Sequence, residues 1–519
     1  MNQSSRRQFL SNVGQGMLVA SVGSALAFDL GLTSRGFAEE TTKSRLTFGS
    51  MEPLVEMMQA TSADKLLPMV VSKLQNGTEL RNIVAAAALA NARAFGGHNY
   101  DGYHTFMALA PSLQMSKELP ENIRALPVLK VLHRNARFIQ TAGGHEHDAM
   151  HLLDHEAASH NIDGQRDPKL LQKVVRQVDQ NKAEQTLASF VQYSLDDAYE
   201  QLQACIEDEV DVHRVVLSWR AWETLDLTGK EQALTLLRQS VRYCVDTERN
   251  RINNKRPEPG VRSTLTKLID QHHLMRDKLG TRAADDGWIE QLCQTIYAGD
   301  RAQAASAVAQ ALADGFAPND IGEAISLAAN RLVLRDPGRV KGEEMKPIGS
   351  VHGASVGVHA SDSANAWRNI ARVSNNRNTV ASLIVAGYHT AGQAGHAGQK
   401  PYPWPEHLET IKAKDSATLL AELESAIKGK DQIRASALVH RYGELGHTPR
   451  PIFDLMLKFA CSEDGALHAE KYYRTVSEEF ATIRPSFRWR QLVALARVTA
   501  SEYGFPAPGY SEACRLLKV

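Results

Sequence analysis

Four histidines recur along the chain at matching intervals. His104 and His359 are 255 residues apart, and the same interval separates His213 from His468. Imidazole is largely neutral near pH 7 and is a common ligand of zinc, copper, iron and nickel. If each repeated histidine lies near the start of an equivalent helix, four helices could direct one imidazole each toward a common axis, as in metal sites inside helical bundles. We therefore predict a metal site formed by these four residues. The alternative is that each histidine only contacts the start of its own helix.

Other polar residues near the repeated histidines could complete such a site. His98 and His352 lie in glycine-rich segments that approach two of them, and we predict that both bind a cofactor or act as acid–base groups, unless these segments only join helices. Asp101 and Asp362 lie within three residues of a repeated histidine, where a carboxylate could orient the imidazole or bind the metal itself. Tyr103 could donate a proton. We predict catalytic roles for Asp101, Tyr103 and Asp362.

The densest group of histidines lies between His145 and His155. Three of its members, His147, His151 and His155, are spaced four residues apart and would share one face of a helix. This spacing is that of the His-Glu-x-x-His zinc motif, but Asp-Ala-Met stands between His147 and His151, so the required glutamate is missing. We interpret the segment as a polar, solvated linker helix that could bind divalent metals adventitiously.

The elements that must position these side chains are predicted to be helices. Apolar residues recur with a helical period in Leu80–Arg93, Ala302–Leu312 and Ile321–Leu334, whereas alternating β patterns bounded by turns are hard to find. The sequence therefore predicts an all-α protein.

Self-comparison predicts an internal duplication. Thr141-Ala142-Gly143 is echoed by Thr390-Ala391-Gly392, and Cys205-Ile206-Glu207-Asp208 by Cys461-Ser462-Glu463-Asp464. Both echoes keep the order of the repeated histidines. We predict two homologous halves of two helical units each, in an A-B-A-B order around a central cavity.

The N-terminus predicts an export signal. Arg6-Arg7 precedes a nearly uncharged run from Val13 to Leu32, and small residues precede a possible cleavage point after Ala38. These features are typical of a twin-arginine leader, which implies the twin-arginine translocation machinery as a partner and a periplasmic or otherwise exported location. The alternative is an N-terminal anchor helix. The predicted division is a signal peptide at 1–38, a first half at 39–280 and a second half at 281–519.

Charge and motifs exclude several classes of function. Lys and Arg together number 59, as do Asp and Glu, so the chain has no basic excess for nucleic acid or for a polybasic membrane contact. After the leader, no stretch reaches the ~18 apolar residues of a membrane helix. No Gly-x-Ser-x-Gly, Walker A or Rossmann glycine motif is present.

The whole chain resembles a planctomycete-type family of exported α-helical proteins. These proteins combine such a leader with Leu-Ala-Asn and Val-His-Ala-Ser-Asp motifs, which correspond here to Leu89-Ala90-Asn91 and Val358–Asp362. That resemblance implies no activity. Gly102-Tyr103-His104 and Val351-His352-Gly353 also resemble questin oxidase-like proteins, which are α-helical oxygenases. This second resemblance implies an oxidative activity and carries over no catalytic residue.

Taken together, the sequence predicts an exported metal-dependent oxidoreductase, oxygenase-like, that acts on a small organic substrate in a histidine-lined pocket between helical repeats. Iron is favoured over zinc or copper, although the spacing alone does not separate the three metals. If iron is bound, an open histidine site with a carboxylate such as Asp362 suits oxygenase chemistry. Two alternatives stay open. One is a non-enzymatic helical-repeat scaffold that binds a partner, and the other is a protein that holds haem non-covalently between paired histidines.

Overall fold

Helices account for nearly all regular structure in the described part of the chain. The computed structural model describes residues 45–142, 144, 148–153, 167, 169–343, 346–353, 355–393 and 400–519. Within these ranges the chain forms 23 α-helices and no β-sheet. The predicted all-α class is therefore confirmed. The predicted leader at 1–38 lies outside the described residues.

Five consecutive helices form what we call the first unit, and five more form the second. The first unit contains α1 (Glu52–Ala60), α2 (Ala63–Gln75), α3 (Leu80–Phe95), α4 (Tyr100–Lys117) and α5 (Leu126–Thr141). The second unit contains α6 (Leu170–Arg176), α7 (Gln180–Tyr193), α8 (Leu195–Ile206), α9 (Val212–Thr228) and α10 (Ala233–Asn253). A single helix, α11 (Gly260–Gln271), follows the second unit.

The same number of helices recurs in the C-terminal half. The third unit contains α12 (Asp286–Ala298), α13 (Arg301–Ala313), α14 (Pro318–Arg335), α15 (Val356–Val373) and α16 (Asn376–Ala391). After the short α17 (Pro405–Glu409), the fourth unit contains α18 (Ser416–Lys428), α19 (Gln432–Glu444), α20 (Arg450–Ser462), α21 (His468–Thr482) and α22 (Trp489–Glu502). The last helix of the chain is α23 (Tyr510–Leu517).

Helices pack in the same way inside all four units. In each unit the first helix contacts the third, the second contacts the fifth, and the fourth contacts both the third and the fifth. The fourth helices of the units, α4, α9, α15 and α21, also contact one another in that order, and α21 contacts α4. These four helices, which we call the central helices, therefore close into a ring.

Helix α3 is apolar or small over most of its surface, which explains why it lies inside. Every residue of α3 from Ile83 to Phe95 is buried, and alanines dominate that stretch. A helix without a polar face must be covered all round, and small side chains let neighbouring helices approach closely. Outer helices such as α2 and α13 keep exposed polar residues on one face.

Thr47–Val519 forms one compact unit by its contacts. No helix of the described residues is both long and apolar enough to span a bilayer. The two-half division, the duplication and the central cavity stay predictions. One local expectation was wrong: residues 148–153, which lie within the predicted polar linker helix, are not helical. Met150 is fully buried there, and the backbone N–H groups of Ala149 and Met150 both donate to the carbonyl of Arg93, so this backbone bonds to another helix instead of forming its own.

Candidate functional site

The four repeated histidines meet where the central helices meet. The ring centroids of His104 and His213 are 4.8 Å apart, and those of His213 and His359 are 5.8 Å apart. The circuit continues from His359 to His468 at 5.4 Å and returns from His468 to His104 at 5.2 Å. We call these four imidazoles the histidine ring. Residues up to 364 positions apart in sequence are thus neighbours in space, in the order of the helices that carry them.

Helix starts position the members of the histidine ring. Asn99 caps α4 by accepting a hydrogen bond from the backbone N–H of Gly102 at 3.0 Å, and Asp211 caps α9 in the same way at Arg214, 2.8 Å away. Ser355 caps α15 through the N–H of Val358. Each cap satisfies a backbone donor that a helix start leaves unpaired. The caps therefore fix where each histidine-bearing helix begins.

The inner nitrogens of the histidine ring face one another or lack a partner. Nε2 of His359 and Nε2 of His468 are 3.3 Å apart. Nε2 of His104 and Nε2 of His213 are buried without a hydrogen-bond partner among the described residues. A buried polar atom with no partner is costly and calls for an explanation such as a ligand.

Burial keeps three members of the histidine ring neutral, namely His104, His359 and His468. It lowers the pKa of His104 and of His468 well below the usual value, and the neighbouring Lys471 ammonium lowers both further. Burial, followed by the nearby His213, lowers the pKa of His359 to about 3. Neutral imidazoles carry a free lone pair, which is the form that binds a metal.

Lys471 and Asp362 lie one helical turn from members of the histidine ring. Lys471 is three residues after His468 on α21, and its ammonium Nζ is 3.1 Å from Nδ1 of His104. Asp362 is three residues after His359 on α15 and accepts a hydrogen bond from the Thr475 hydroxyl at 2.7 Å. Burial raises the pKa of Asp362 to about 6, and burial lowers that of Lys471 to about 8. Asp362 therefore interacts electrostatically with Lys471 and does not belong to the histidine ring.

Aromatic side chains and one carboxylate cover another side of the ring. The Tyr103 ring packs 5.4 Å from those of both His104 and His213. The Tyr243 hydroxyl donates to Asp211 at 2.9 Å, and Asp211 lies 3.6 Å from Nδ1 of His213. Burial disfavours the charged carboxylate, but the nearby His213 imidazole and the hydrogen bonds from the Arg214 backbone and Tyr243 hold the pKa of Asp211 below its usual value. Asp211 therefore stays ionised beside the imidazole.

His352 approaches the ring from the side of His468. Their ring centroids are 6.1 Å apart, and Nε2 of His352 is 3.7 Å from a carboxylate oxygen of Glu502. The same oxygen accepts the backbone N–H of Gly353 at 2.8 Å. Burial raises the pKa of Glu502 to about 7, and burial with the nearby Lys346 lowers that of His352 to about 3. Both groups are thus largely neutral near pH 6.

The structure does not bring every predicted site residue to this point. His98 is partly exposed, and its Nδ1 contacts the carboxylate of Asp246 on α10. The carboxyl group of Asp101 is partly exposed at the start of α4 and interacts electrostatically with Arg134. In the His145–His155 group, the carbonyl of His151 accepts a hydrogen bond from Arg238, while His145, His147 and His155 lie outside the described residues.

Two observations limit what the site already provides. Among the described residues, no group of three or more His, Cys, Asp or Glu side chains is arranged to hold a metal ion. A pocket of about 860 Å³ opens elsewhere, between α7, α8, α11 and the start of α16, and none of the histidine ring lines it. The ring is accordingly a cluster of converging imidazoles, and its side chains must turn slightly before three nitrogens could share one ion.

The sequence prediction missed Lys471, Asp211 and Glu502. Two of them carried a readable signal: Lys471 follows His468 by one helical turn, and Asp211 precedes His213 by two residues at a typical N-cap position. Glu502 carried none, because its proximity to His352 depends on how α22 packs.

In comparisons with known proteins, no family model, no curated protein and no solved structure matches the chain.

Proposed function

We propose that the protein is an exported metal-dependent oxidoreductase whose histidine ring holds a transition metal. The observation that carries the proposal is the convergence of four imidazoles from four central helices, two of them with an inner nitrogen that is buried and unpartnered. Neutral imidazoles around one point are the donor set that iron, copper and zinc share.

The spacing of the nitrogens supports a metal more than a haem. In a tetrahedral site with metal–nitrogen bonds of about 2.0–2.1 Å, two ligand nitrogens lie about 3.3–3.4 Å apart. Nε2 of His359 and Nε2 of His468 are 3.3 Å apart. Successive ring centroids only 4.8–5.8 Å apart leave no room for a porphyrin between the imidazoles.

The surroundings of the ring supply what a small-molecule oxidation needs. A bound iron would supply Lewis acidity and one-electron chemistry. Asp211 would orient His213 through Nδ1, and the carbonyl of Ala466, 3.0 Å from Nδ1 of His468, would orient that imidazole in the same way. His213 and His359 are partly exposed, so a small substrate would approach from their side of the ring, beside the exposed Tyr100.

The repeated arrangement of the units supports the internal duplication as part of the same proposal. Two duplications of an ancestral unit would place one histidine per unit on a central helix, and ring closure would then bring the four together. Export through the twin-arginine route would allow the metal to be bound before translocation.

The first test is the metal content of the mature, untagged protein by elemental analysis. We expect about one transition-metal ion per chain in the parent and its loss in a His213→Ala/His468→Ala double variant. A His440→Ala/His447→Ala variant, which removes two surface histidines, is the matched control and should keep the metal. A folded parent that binds no metal would reject the proposal and favour the scaffold alternative.

A further inference from the structure

The outer nitrogens of the histidine ring have two different kinds of partner. Nδ1 of His468 lies 3.0 Å from the carbonyl oxygen of Ala466, and Nδ1 of His213 lies 3.6 Å from the carboxylate of Asp211. Both partners are acceptors. The Ala466 carbonyl accepts a hydrogen bond from Nδ1–H of His468, and the Asp211 carboxylate favours the same tautomer of His213 electrostatically across 3.6 Å. In both rings the lone pair is then on Nε2, as in most metal-binding histidines.

His104 has the opposite arrangement. Its outer nitrogen, Nδ1, faces the Lys471 ammonium at 3.1 Å, and an ammonium group has three donors and no acceptor. Lys471 therefore selects the tautomer in which Nδ1 accepts and Nε2 carries the hydrogen. In that tautomer Nε2 of His104 has no lone pair to give to a metal.

The ammonium form of Lys471 has anionic partners around it. Burial disfavours the ammonium and lowers the pKa of Lys471 to about 8, while the carboxyl groups of Asp362 and Glu470 favour the charged form and Arg220 opposes it. Lys471 is almost fully buried and is held on α21 one turn from His468. Lys471 therefore links the tautomer of His104 to α21, the helix that carries His468.

We propose that His104 is not a metal ligand: it donates an Nε2–H hydrogen bond toward the point where His213, His359 and His468 converge, and Lys471 fixes its tautomer. This inference rests on the proposed function, because it divides the four imidazoles into three ligands and one donor. Three ligands leave open positions on the metal. The donor beside them gives the site a preference for a substrate that presents an oxygen acceptor, such as a phenolate, an enolate or a carboxylate.

The orphaned nitrogen of His104 fits this division. A buried N–H without a partner is expensive, and an acceptor oxygen of a substrate placed at the ring would satisfy it. A hydrogen bond from this N–H to an ionised oxygen, such as that of a phenolate or carboxylate, would be charge-assisted and roughly twice as strong as a neutral one. A substrate that lacks this oxygen would leave the donor unsatisfied and would bind more weakly.

The tautomer can be measured in the metal-free, full mature protein. Labelling histidine with ¹⁵N and recording long-range ¹H–¹⁵N correlations identifies the protonated nitrogen of each ring, and a His104→Gln variant assigns the His104 signals. We expect hydrogen on Nε2 of His104 and on Nδ1 of both His213 and His468. In Lys471→Met, which keeps a long side chain without the charge, the His104 pattern should change. Hydrogen on Nδ1 of His104 in the parent would overturn the inference.

Zinc titration in competition with a chelator tests the division between ligands and donor. We expect His104→Gln, which keeps an N–H donor, to bind Zn²⁺ within about threefold of the parent. His359→Ala and His468→Ala should weaken binding by more than the about 10–100-fold that loss of an outer partner costs. Equal losses in His104→Gln and His359→Ala would overturn the inference while leaving the metal site intact. Absence of Zn²⁺ binding in the parent would instead reject the proposed function, and the tautomer measurement would still decide the role of Lys471.

Discussion

At the scale of single residues, Glu502 links the protonation of one buried carboxyl group to the stability of the fold. It is buried at the end of α22, accepts the backbone N–H of Gly353, and has a pKa raised by burial to about 7 from an ordinary value of 4.5. The folded protein therefore binds a proton on Glu502 between about pH 4.5 and 7 that the unfolded chain has already released. Stability from this group is present below pH 4.5 and is lost as the pH rises through 7.

Glu502→Gln should abolish that loss. Glutamine keeps a carbonyl oxygen for the N–H of Gly353 and stays neutral at every pH, so the metal-free variant should gain on the order of 3 kcal/mol over the parent at pH 8 and little at pH 4.5. Urea unfolding at both pH values measures the difference. The exposed Glu444, changed in the same way, should leave the pH profile of the parent unaltered. A gain that is the same at pH 4.5 and pH 8 would contradict the assignment.

The residue scale also shows what a sequence can reveal about a site. The four ring histidines were found because their spacing repeats, and helical periodicity alone would have added Lys471. His98 was predicted by the same reasoning as His352, yet it pairs with Asp246 on the surface, whereas His352 lies beside His468. Sequence position relative to a glycine could not separate the two, because the difference depends on which helix each segment packs against.

At the scale of elements, α21 begins differently from the other central helices. It has no side-chain cap, and the two residues before His468 adopt left-handed backbone angles, with φ of 47° at Ala466 and 66° at Leu467. Such angles are unfavourable for residues with a Cβ atom and are often kept at functional sites. This turn places the Ala466 carbonyl within 3.0 Å of Nδ1 of His468.

Ala466→Gly should therefore be neutral or stabilising. Left-handed angles cost a residue with a side chain about 1–2 kcal/mol, and glycine removes this cost. Glycine also gives the unfolded chain more conformational entropy, which offsets about 0.5–1 kcal/mol of the stability gained. Ala469→Gly, three residues further on inside α21, should instead destabilise the fold by about 1 kcal/mol. Urea unfolding of both metal-free variants compares them directly. If Ala466→Gly destabilised the protein as much as Ala469→Gly, the left-handed angles at Ala466 would not carry the energetic cost assigned to them.

The boundaries of individual helices could largely be predicted from the sequence, but the packing of the helices could not. The apolar pattern predicted helices over Leu80–Arg93, Ala302–Leu312 and Ile321–Leu334, and the structure extends each by a few residues at one or both ends. The polar histidine-rich segment was predicted as a helix because His147, His151 and His155 are spaced four residues apart. Its backbone at Ala149 and Met150 instead hydrogen-bonds to Arg93, a contact between distant residues that no local pattern encodes.

At the scale of the whole molecule, closure of the central ring depends on contacts between the first and fourth units. Lys130 on α5 is fully buried, and its ammonium lies 2.7 Å from Glu470 on α21. The same group donates to the carbonyls of Ala460 and Glu463, at 2.8 and 2.6 Å. These partners are 330 or more residues away in sequence. One lysine therefore connects the last helix of the first unit to the helix that carries His468.

Removing this lysine should destabilise the entire fold, since the buried Glu470 carboxylate would lose the counter-charge that it contacts. Lys130→Met should cost about 3–5 kcal/mol. Lys130→Met/Glu470→Gln should recover part of that loss, because the buried charge is gone while the carbonyls of Ala460 and Glu463 stay unsatisfied. Lys458→Met breaks the exposed pair with Glu424 and should cost less than about 1 kcal/mol.

Calorimetry of these variants distinguishes a closed ring from two halves that fold separately. If the four units unfold together, Lys130→Met shifts one transition that includes all four, and the loss of Zn²⁺ from the histidine ring coincides with it. If the halves unfolded independently, the parent would already show two transitions, and Lys130→Met would alter both, because Lys130 connects the first unit in one half to the fourth unit in the other. A single shifted transition would mean that the site exists only while the ring is closed, so that metal binding and folding of the whole molecule report on each other.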